Sequence, residues 1–387
     1  MTDTLTDALP ELDGRLAALR GAAAETAPEL RAHALALDAD PHDMAPHLGV
    51  EGFDLVRRLT VPERYGGRPL RIGPFTYTAG SSLQTLVWMT ELARGDAGMV
   101  MAAPGPSLAG ILLDHLGDEE QRAHFHRRQA DGAAWAFFAV TEPGRGSDAA
   151  AMQTALGPGP GGQRLLTGTK KYIGNGARGG IGVVFARTGP GPLGIRAALV
   201  EASAPGFSTT ALDTAGLRGA ALGEIRLAGV PVPEEHLLAR HLPATRRGLW
   251  GAVRVFTTVR PQVAALAAGT GLACLDLVRA ERPGAPGLAA LDSRLAGCLR
   301  LVHEAGAALD AGRDASLLSS AAKLSAVAAA REASRFAVRA LGPAALVDHP
   351  LLEKWCRDVA AFEFMEGTSD IQRLHVARER VRAGGRG

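Results

Sequence analysis

The fold of this chain is decided at residues 135–148, which read Trp135-Ala136-Phe137-Phe138-Ala139-Val140-Thr141-Glu142-Pro143-Gly144-Arg145-Gly146-Ser147-Asp148. The first part is a short apolar run, and such a run bounded by turn residues is typical of a buried strand. The second part is turn-forming, and its two glycines allow another group to approach the backbone closely. A strand that ends in a glycine-rich loop, after roughly 130 residues of helical pattern, predicts an α+β chain.

Strand-like runs continue beyond this stretch, and helical patterns enclose them on both sides. The runs cover residues 164–173, 180–187, 197–200 and 224–227. Asn175-Gly176 lies between the first two runs and predicts a hairpin, and the Gly-Pro stretch at 157–162 predicts a second hairpin loop. From about Leu249 the pattern is helical and alanine-rich. We therefore predict a helical domain over 1–132, a β domain over 133–242 and a helical domain over 243–387.

The composition excludes several classes of protein. Hydrophobic residues make up 47% of the chain and charged residues 21%, which is typical of a soluble globular protein. A formal charge of +2, with the arginines spread along the chain, argues against nucleic-acid binding. The three cysteines and the histidines show no metal-ligand pattern, and the cysteines indicate a reducing compartment. The N-terminal residues include four acidic side chains and no apolar core region, so we recognise no signal peptide; these are Asp3, Asp7, Glu11 and Asp13. We also recognise no apolar stretch long enough to span a membrane. We therefore expect a cytoplasmic protein.

The most suggestive candidate for chemistry is Glu366, in the segment Phe364-Met365-Glu366-Gly367-Thr368-Ser369-Asp370-Ile371-Gln372. Two large apolar residues precede it, and burial beside them would raise its pKa, whereas the dipole of the following helix would lower it. A carboxylate under two opposed influences can be tuned as a general base. Ser369 and Gln372 predict an S-x-x-Q capping box for the last helix. The structural alternative is a surface glutamate in front of a capped helix.

Several motifs, in the same order along nearly the whole chain, resemble those of the acyl-CoA dehydrogenase family. Residues 138–148 resemble the family signature in which T-E-P and G-S-D flank a flavin. The other matching segments are 61–67 (I-P-E-x-Y-G-G), 116–121 (G-x-x-E-Q), 167–176 (G-x-K-x-W-I-T-N-G), 222–238, and 357–358 followed by 365–368 (R-D and E-G-T). The chain is therefore identified as a divergent member of this family.

The resemblance implies a fold and a cofactor. The fold is an α-helical N-terminal domain, a central β-barrel and a C-terminal four-helix bundle, and FAD lies between barrel and bundle and reaches into a neighbouring subunit. Carried over residue by residue, the flavin contacts are Phe138, Val140, Thr141, Gly146, Ser147, Tyr172, Ile173, Gly174, Thr368 and Ser369. The substrate contacts are Ser147, Arg260 and Gly367, and Glu366 is the catalytic base.

The activity that the resemblance implies is the oxidation of an acyl thioester, carried by CoA or by a carrier protein. Glu366 would take the α proton while the β hydride passes to flavin N5, and electron-transfer flavoprotein would accept the electrons. A homodimer or homotetramer is expected, with a hetero-oligomer as the alternative. Two other functions on the same fold stay open: a flavin-dependent oxidase or monooxygenase, which the presence of Glu366 disfavours, and a non-catalytic partner subunit of a hetero-oligomeric enzyme.

The chain departs from the family pattern at three places. Tyr172-Ile173-Gly174 replaces Trp-Ile-Thr, so the threonine hydroxyl that binds the flavin is missing and the aromatic wall is smaller. The R-x-x-F-G…Q segment, which clamps the FAD of a neighbouring subunit, keeps only Arg282, and the Q-x-x-G-G-x-G segment is changed at 339–345. Because the last two losses fall on the same clamping surface, we expect either weaker clamping by the neighbour or completion of the site by a different chain.

Two further charged side chains are interpreted as structural. Lys323 lies within an alanine-rich helix and is expected to be solvated. Asp358 is expected to pair with Arg357 and not to act as a second base.

Overall fold

The computed structural model describes residues 12–130 and 134–384 of the chain. The predicted domain boundary at 132/133 lies outside the described residues. So do three of the acidic residues that argue against a signal peptide, Asp3, Asp7 and Glu11.

The N-terminal part of the described chain is helical, as predicted. Its helices are α1 (Gly14–Glu25), α2 (Ala27–Ala39), α3 (Glu51–Thr60), α4 (Ser82–Ala102), α5 (Ser107–Leu116) and α6 (Glu119–Ala130). A short antiparallel hairpin of β1 (Leu70–Ile72) and β2 (Phe75–Tyr77) lies between α3 and α4. Strands of three residues are too short to show an alternating pattern, so the sequence gives no sign of this hairpin.

The central part is one sheet of seven strands that curls around its own apolar core. The strands are β3 (Ala136–Ala139), β4 (Ala155–Pro158), β5 (Arg164–Ile173), β6 (Ile181–Arg187), β7 (Ile195–Glu201), β8 (Phe207–Ala211) and β9 (Gly223–Val232). β6 pairs in parallel with β3 and antiparallel with β7, while β5 pairs antiparallel with β4 and β9. The predicted central β domain is confirmed as this curled sheet.

The hairpin predicted at Asn175-Gly176 is wrong. β5 and β6 flank this turn, but each forms its main ladders with other strands. Asn175 is left-handed (φ 55°), and its main-chain N–H and its side-chain amide donate to the carbonyls of Ala220 (2.8 Å) and Ala136 (3.2 Å). These bonds to distant segments carry the chain across the sheet and not back along β5. The hairpin predicted around 157–162 is confirmed, because β4 and β5 pair antiparallel there. Gly157 and Pro158 belong to β4, so the loop itself covers residues 159–163.

The C-terminal part is a bundle of long helices. They are α7 (Leu249–Glu281), α8 (Leu288–Asp310), α9 (Ser316–Leu341), α10 (Ala345–Asp348), α11 (Pro350–Ala361) and α12 (Ser369–Gly384). α7, α8 and α9 pack on one another, and α12 lies along α9, which agrees with the expected bundle of four helices.

α7 corrects one expectation from the sequence. The sequence predicts no apolar stretch long enough to span a membrane, but this helix is long and apolar enough by length and composition. However, 78% of its most apolar window is buried inside the protein. α7 is therefore a core helix, with α4 and α9 packed against it.

Pro261 lies inside α7 and removes one helical hydrogen bond. Its nitrogen carries no hydrogen that could be donated to the carbonyl of Thr257, four residues earlier. The fully buried Ser319 of α9 donates its hydroxyl to that carbonyl at 2.7 Å. A side chain of the neighbouring helix thus satisfies the acceptor that the proline leaves free, and it fixes α9 against α7 close to Arg260.

A buried cluster of charged side chains joins three parts of the fold. The Nζ atom of Lys354, on α11, lies 2.7 Å from Asp96 Oδ2 and 2.6 Å from Asp358 Oδ2, and all three side chains are at most 1% exposed. Asp96 interrupts α4 with an extended conformation and accepts the N–H of Met99 at 2.9 Å. Asp358 accepts the N–H of Leu217, from the central part of the chain, at 2.6 Å. One ammonium group therefore connects all three parts.

Asp358 is structural, as expected, but its partner is Lys354 and not Arg357. Arg357 binds Asp38 of α2 at 2.7 Å and Glu353 at 2.8 Å. Lys354 and Asp358 are four residues apart and share the buried face of α11, whereas Arg357 lies on another face of the helix.

Lys354→Met should destabilise the protein by about 3–5 kcal/mol, because two buried carboxylates lose the cation between them. The loss should appear as a lower midpoint of urea unfolding. Lys171→Met is the matched control, since Lys171 pairs with Glu224 in a partly exposed ion pair, and such pairs contribute at most about 1 kcal/mol. Equal losses in the two variants would contradict the importance of the buried cluster.

Ser319→Ala should cost about 1–3 kcal/mol, because the buried carbonyl of Thr257 loses its donor. In a Pro261→Ala background the same substitution should cost much less, since an alanine there supplies the missing helical N–H. Urea unfolding of the wild type, the two single variants and the double variant measures this coupling. Strictly additive losses would show that Ser319 stabilises the protein by another route.

Candidate active site

The glycine-rich loop at 141–148 is held by a buried ion pair. Glu142 is 6% exposed and accepts the main-chain N–H groups of Gln153 at 2.6 Å and Thr154 at 2.8 Å. The fully buried Lys170 of β5 donates to Glu142 Oε1 at 2.9 Å and to the carbonyl of Val140 at 2.9 Å. The end of β3 is thereby tied to β5, while the glycines that follow remain at the surface.

Both members of this pair have displaced pKa values. Burial raises the pKa of Glu142, but hydrogen bonds from Thr154, Gln153 and Lys170 outweigh it and hold the pKa at about 2. Burial lowers the pKa of Lys170 to about 8, against the opposing effect of Glu142. Both residues lie in segments that resemble family motifs, but they are 28 positions apart in the chain, so the sequence does not show their contact.

The end of β5 forms a second wall beside this loop. The N–H of Lys171 donates to the carbonyl of Thr141 at 3.0 Å, which brings Tyr172 and Gly174 next to the loop. Tyr172 is left-handed (φ 62°) and 60% exposed, and the space where Gly174 would carry a side chain is open. The side chain of Ile173 lies in the apolar core of the sheet, so only its main chain is available to a ligand.

A shallow depression follows the loop. It is lined by Pro143, Gly144, Arg145, Gly146, Ser147, Asp148 and Gln153. A Cβ at Gly144 would meet no atom within 4 Å, and one at Gly146 would meet only a methyl group of Thr141 at 3.9 Å. The backbone can therefore be approached from outside, and the predicted residues Gly146 and Ser147 belong to an open concave surface.

Phe138 connects these walls to the helical bundle. Its ring lies edge-on to Phe185 of β6 at 5.2 Å and to Phe256 of α7 at 6.0 Å, measured between ring centroids. Phe256 precedes Arg260 by about one helical turn. The predicted flavin wall and the predicted substrate residue Arg260 are thus brought together through α7.

Glu366 lies in the loop between α11 and α12, and its backbone is bound from several sides. Arg260 Nε donates to the Glu366 carbonyl at 3.3 Å, and the buried amide of Gln372 donates to the carbonyls of Glu366 (3.2 Å) and Gly367 (3.1 Å). Glu366 and Gly367 are both left-handed, with φ of 52° and 98°. For a residue with a Cβ this conformation costs roughly 1–2 kcal/mol. The Glu366 carboxylate accepts no hydrogen bond from the described residues, so it is free to accept a proton.

The predicted capping box of the last helix is wrong. Ser369 donates its N–H and its hydroxyl to the carboxylate of Glu363, at 2.8 and 2.7 Å. Gln372 turns its amide toward the 366–367 carbonyls, and a Cβ on Gly367 would lie 2.7 Å from Gln372 Nε2. Gln372 therefore supports the loop of the candidate base. Its proximity and the left-handed φ of 98° together favour glycine at position 367.

Lys323 is buried, contrary to the expectation that it is solvated. It is 2% exposed, and its Nζ donates to the main-chain carbonyls of Met365 and Gly367, on both sides of Glu366. Burial lowers the pKa of Lys323 to about 8, although Glu366 and Glu363 raise it. The composition holds one sign that lysine has a special place in this chain, because only four of the 42 basic residues are lysines. Three of those four lysines are buried.

The electrostatic setting of Glu366 suits a general base. Burial raises the pKa of Glu366, while the charges of Lys323 and Arg260 limit the rise. Burial also lowers the pKa of Arg260 to about 10, so this side chain stays charged at neutral pH. A carboxylate with a raised pKa accepts a proton more readily, and two neighbouring cations favour its ionised form.

Two of the three segments that depart from the family pattern, the one around Arg282 and the one at 339–345, lie side by side. Arg282, at the end of α7, donates to the carbonyl of Ala340 near the end of α9. Gly342 ends α9 in a positive-φ conformation (90°). Arg282 thus binds its own chain at the surface where both changes fall.

Comparisons with known proteins agree with this architecture. Three acyl-CoA dehydrogenase models match the chain, for the N-terminal domain at 16–133, the middle domain at 137–230 and the C-terminal domain at 246–380. The probable acyl-CoA dehydrogenase YngJ of Bacillus subtilis (strain 168) is 31% identical, over 82% of this chain and 85% of the relative. The acryloyl-CoA reductase (NADH) of Anaerotignum propionicum is 28% identical, over 82% of each chain. The crystal structure of glutaryl-CoA dehydrogenase from Mycobacterium smegmatis superposes with a TM-score of 0.81 at 26% identity, over 95% of each chain.

A curled sheet between helical N-terminal and C-terminal parts, matched in all three domains by the family models, defines a class of flavoprotein oxidoreductases that act on CH–CH bonds and use FAD. The chain belongs to the acyl-CoA dehydrogenase family, as a divergent member.

The residues present fit FAD. The depression at 143–148 offers approachable backbone, and its two glycines have room for a ligand on the outer side. The exposed ring of Tyr172, tied to the loop through the Lys171–Thr141 hydrogen bond, provides a flat apolar surface on which a planar ring system can stack.

Lys170→Met should weaken FAD binding and destabilise the protein by about 3–5 kcal/mol, because Glu142 becomes an unpaired buried charge. Glu142→Gln in the same background should recover part of both losses, since the charge is removed while an acceptor remains for the N–H groups of Gln153 and Thr154. FAD bound per chain at a fixed free FAD concentration and the midpoint of urea unfolding measure the two effects. Unchanged FAD affinity in Lys170→Met would show that the pair does not position the loop.

Proposed function

We propose that this protein is an FAD-dependent dehydrogenase that introduces an α,β double bond into an acyl thioester, with Glu366 as the base for the α proton. The observation that carries the proposal is the arrangement of Glu366. Its loop is bound by Arg260, Gln372 and Lys323, while its carboxylate accepts no hydrogen bond from the described residues. A base that is held in place and left unpaired suits proton transfer.

The chain's own residues have three tasks in this reaction. Glu366 accepts the α proton on a carboxylate oxygen. Arg260, which is 8% exposed and charged at neutral pH, stabilises the negative charge that develops on the thioester oxygen. Gly367 and Ser147 are the other proposed substrate contacts. FAD, when bound, supplies the acceptor for the β hydride.

For the cofactor we propose contacts from the two walls of the depression and from the start of α12. The proposed residues are Phe138, Val140, Thr141, Gly146, Ser147, Tyr172, Ile173, Gly174, Thr368 and Ser369. The side chains of Val140 and Ile173 are buried in apolar cores, so these two would act through main-chain groups.

The carrier of the acyl group, the partners and the location are also proposals. We propose a thioester of CoA, supported by relatives that are named for CoA thioesters, with an acyl carrier protein as the alternative carrier. Electron-transfer flavoprotein is the proposed electron acceptor. We propose a cytoplasmic homodimer or homotetramer; the altered surface at Arg282 and Gly342 keeps a hetero-oligomer as the alternative.

Glu366→Gln should lower the rate of anaerobic flavin reduction by acyl thioesters roughly 10²- to 10⁴-fold, because the amide cannot take the α proton. FAD binding should be unchanged, since the main chain of residue 366 keeps its partners. The rate is read from bleaching of the flavin absorbance with short-, medium- and long-chain saturated acyl-CoA, and with the same acyl groups on a carrier protein. The control is Asp370→Asn, an exposed carboxylate four residues away, which should leave the rate unchanged.

Other results would redirect the assignment. Reduction at the wild-type rate in Glu366→Gln would remove Glu366 from the role of base. Rapid oxygen uptake by the reduced wild-type protein would favour the oxidase or monooxygenase alternative. A wild-type protein that takes up no FAD would favour the non-catalytic partner subunit.

A further inference from the structure

We propose that Lys323 is a positioning residue for Glu366: its ammonium group binds the main-chain carbonyls on both sides of the glutamate and so fixes where the carboxylate stands. This inference deepens the proposed function and rests on Glu366 being the base.

The contacts of Lys323 all go to one loop. Its Nζ donates to the carbonyls of Met365 and Gly367, and the Glu363 carbonyl lies 3.5 Å away. An ammonium group has three N–H donors and no acceptor. Three alternate carbonyls of the loop can therefore use all three donors, and Glu366 lies between two of those carbonyls.

The conformation of Glu366 explains why such support is needed. A residue other than glycine keeps a left-handed conformation only where its surroundings over-determine it. Here Arg260 of α7, Lys323 of α9 and Gln372 of α12 all bind carbonyls between residues 365 and 367. Among these three, Lys323 is the one that binds both the carbonyl before Glu366 and the carbonyl after it.

Lys323 also connects the loop to a rigid part of the bundle. Ser319, one helical turn earlier on α9, is hydrogen-bonded to Thr257 of α7, one turn before Arg260. The ammonium group and the guanidinium group that contact the Glu366 loop therefore stand on two helices that are fixed to each other. Movement of Glu366 relative to Arg260 requires the bonds of Lys323 to break.

The charge of Lys323 is part of this role. The charged groups that act on Lys323 are Arg260 of α7 and Glu363 and Glu366 of the loop. His375 of α12 lies near Arg260. Burial and the charge of Arg260 lower the pKa of His375, so His375 is neutral at alkaline pH. The net effect lowers the pKa of Lys323 to about 8. Above that pH the neutral amine has two donors for three carbonyls and directs a lone pair at the third. The positioning of Glu366 should therefore weaken as the pH rises through about 8.

The test compares Lys323→Met and Lys323→Arg with Arg335→Met, which removes an exposed cation from the same helix. For Lys323→Met we expect at least a tenfold lower limiting rate of flavin reduction by saturated acyl-CoA, with less than a twofold change in FAD content and in half-saturating thioester. Hydrogen exchange of the amides in 362–368 should accelerate at least tenfold, with little change elsewhere. Lys323→Arg should recover part of the rate and should lose the alkaline decline near pH 8, because guanidinium does not titrate there. Arg335→Met should match the wild type in every measurement.

Several outcomes would overturn the proposal. An unchanged rate and unchanged exchange at 362–368 in Lys323→Met would do so, as would faster exchange spread over the whole helical bundle, which is the sign of a merely structural lysine. If Lys323→Met does not fold, the pH profile of Lys323→Arg decides: an alkaline decline that persists in this variant does not come from Lys323 and overturns the proposed role of its charge. If acyl thioesters do not reduce the wild-type flavin, the proposed function fails, while the exchange at 362–368 still tests whether Lys323 holds the loop.

Discussion

The ammonium group of Lys354, buried between Asp96 and Asp358, is the interaction on which the rest of the structure depends. Burying three charges is costly, and the cost is offset only when every oxygen and N–H finds its partner. Those partners come from α4, from α11 and from the main chain at Leu217, so the cluster is complete only when all three parts of the chain are in place. Asp358 also stands eight residues before Glu366 on the chain. The same cluster therefore fixes the helix from which the loop of the proposed base departs.

The chain uses buried lysines in one consistent way. Lys354 joins the three parts of the fold, Lys170 ties the glycine-rich loop to β5, and Lys323 holds the loop of Glu366. Each ammonium group binds oxygen atoms of at least one segment that is distant in sequence. A compact charge with three donors fits between several oxygens in a small space, whereas the planar guanidinium group needs a flat partner and more room. This difference explains why a chain with 38 arginines keeps lysine at these positions.

Local patterns predict the structure where short-range interactions decide it, and they fail where contacts between distant segments decide it. Strand β5 was predicted with both ends correct, because ten residues of one pattern form it. The hairpin at Asn175-Gly176 was wrong, since bonds from Asn175 to Ala136 and Ala220 redirect the chain. The capping box was wrong for a similar reason: Glu363 takes the donors of Ser369, and Gln372 is used by the loop. Lys323 was misjudged because an alanine-rich helix does not show which of its faces is covered.

The sequence by itself determined the class of the fold, the family and the candidate base, because these depend on local patterns and on motifs whose residues are neighbours in the chain. Only the tertiary structure decided how the base is held. Arg260, Lys323 and Gln372 come from three helices and meet at the carbonyls around Glu366. Their partners are main-chain oxygens, which every residue type offers equally, so nothing in the amino-acid letters marks the contact. The pattern of side chains specifies the helices, and the packing of those helices creates the site.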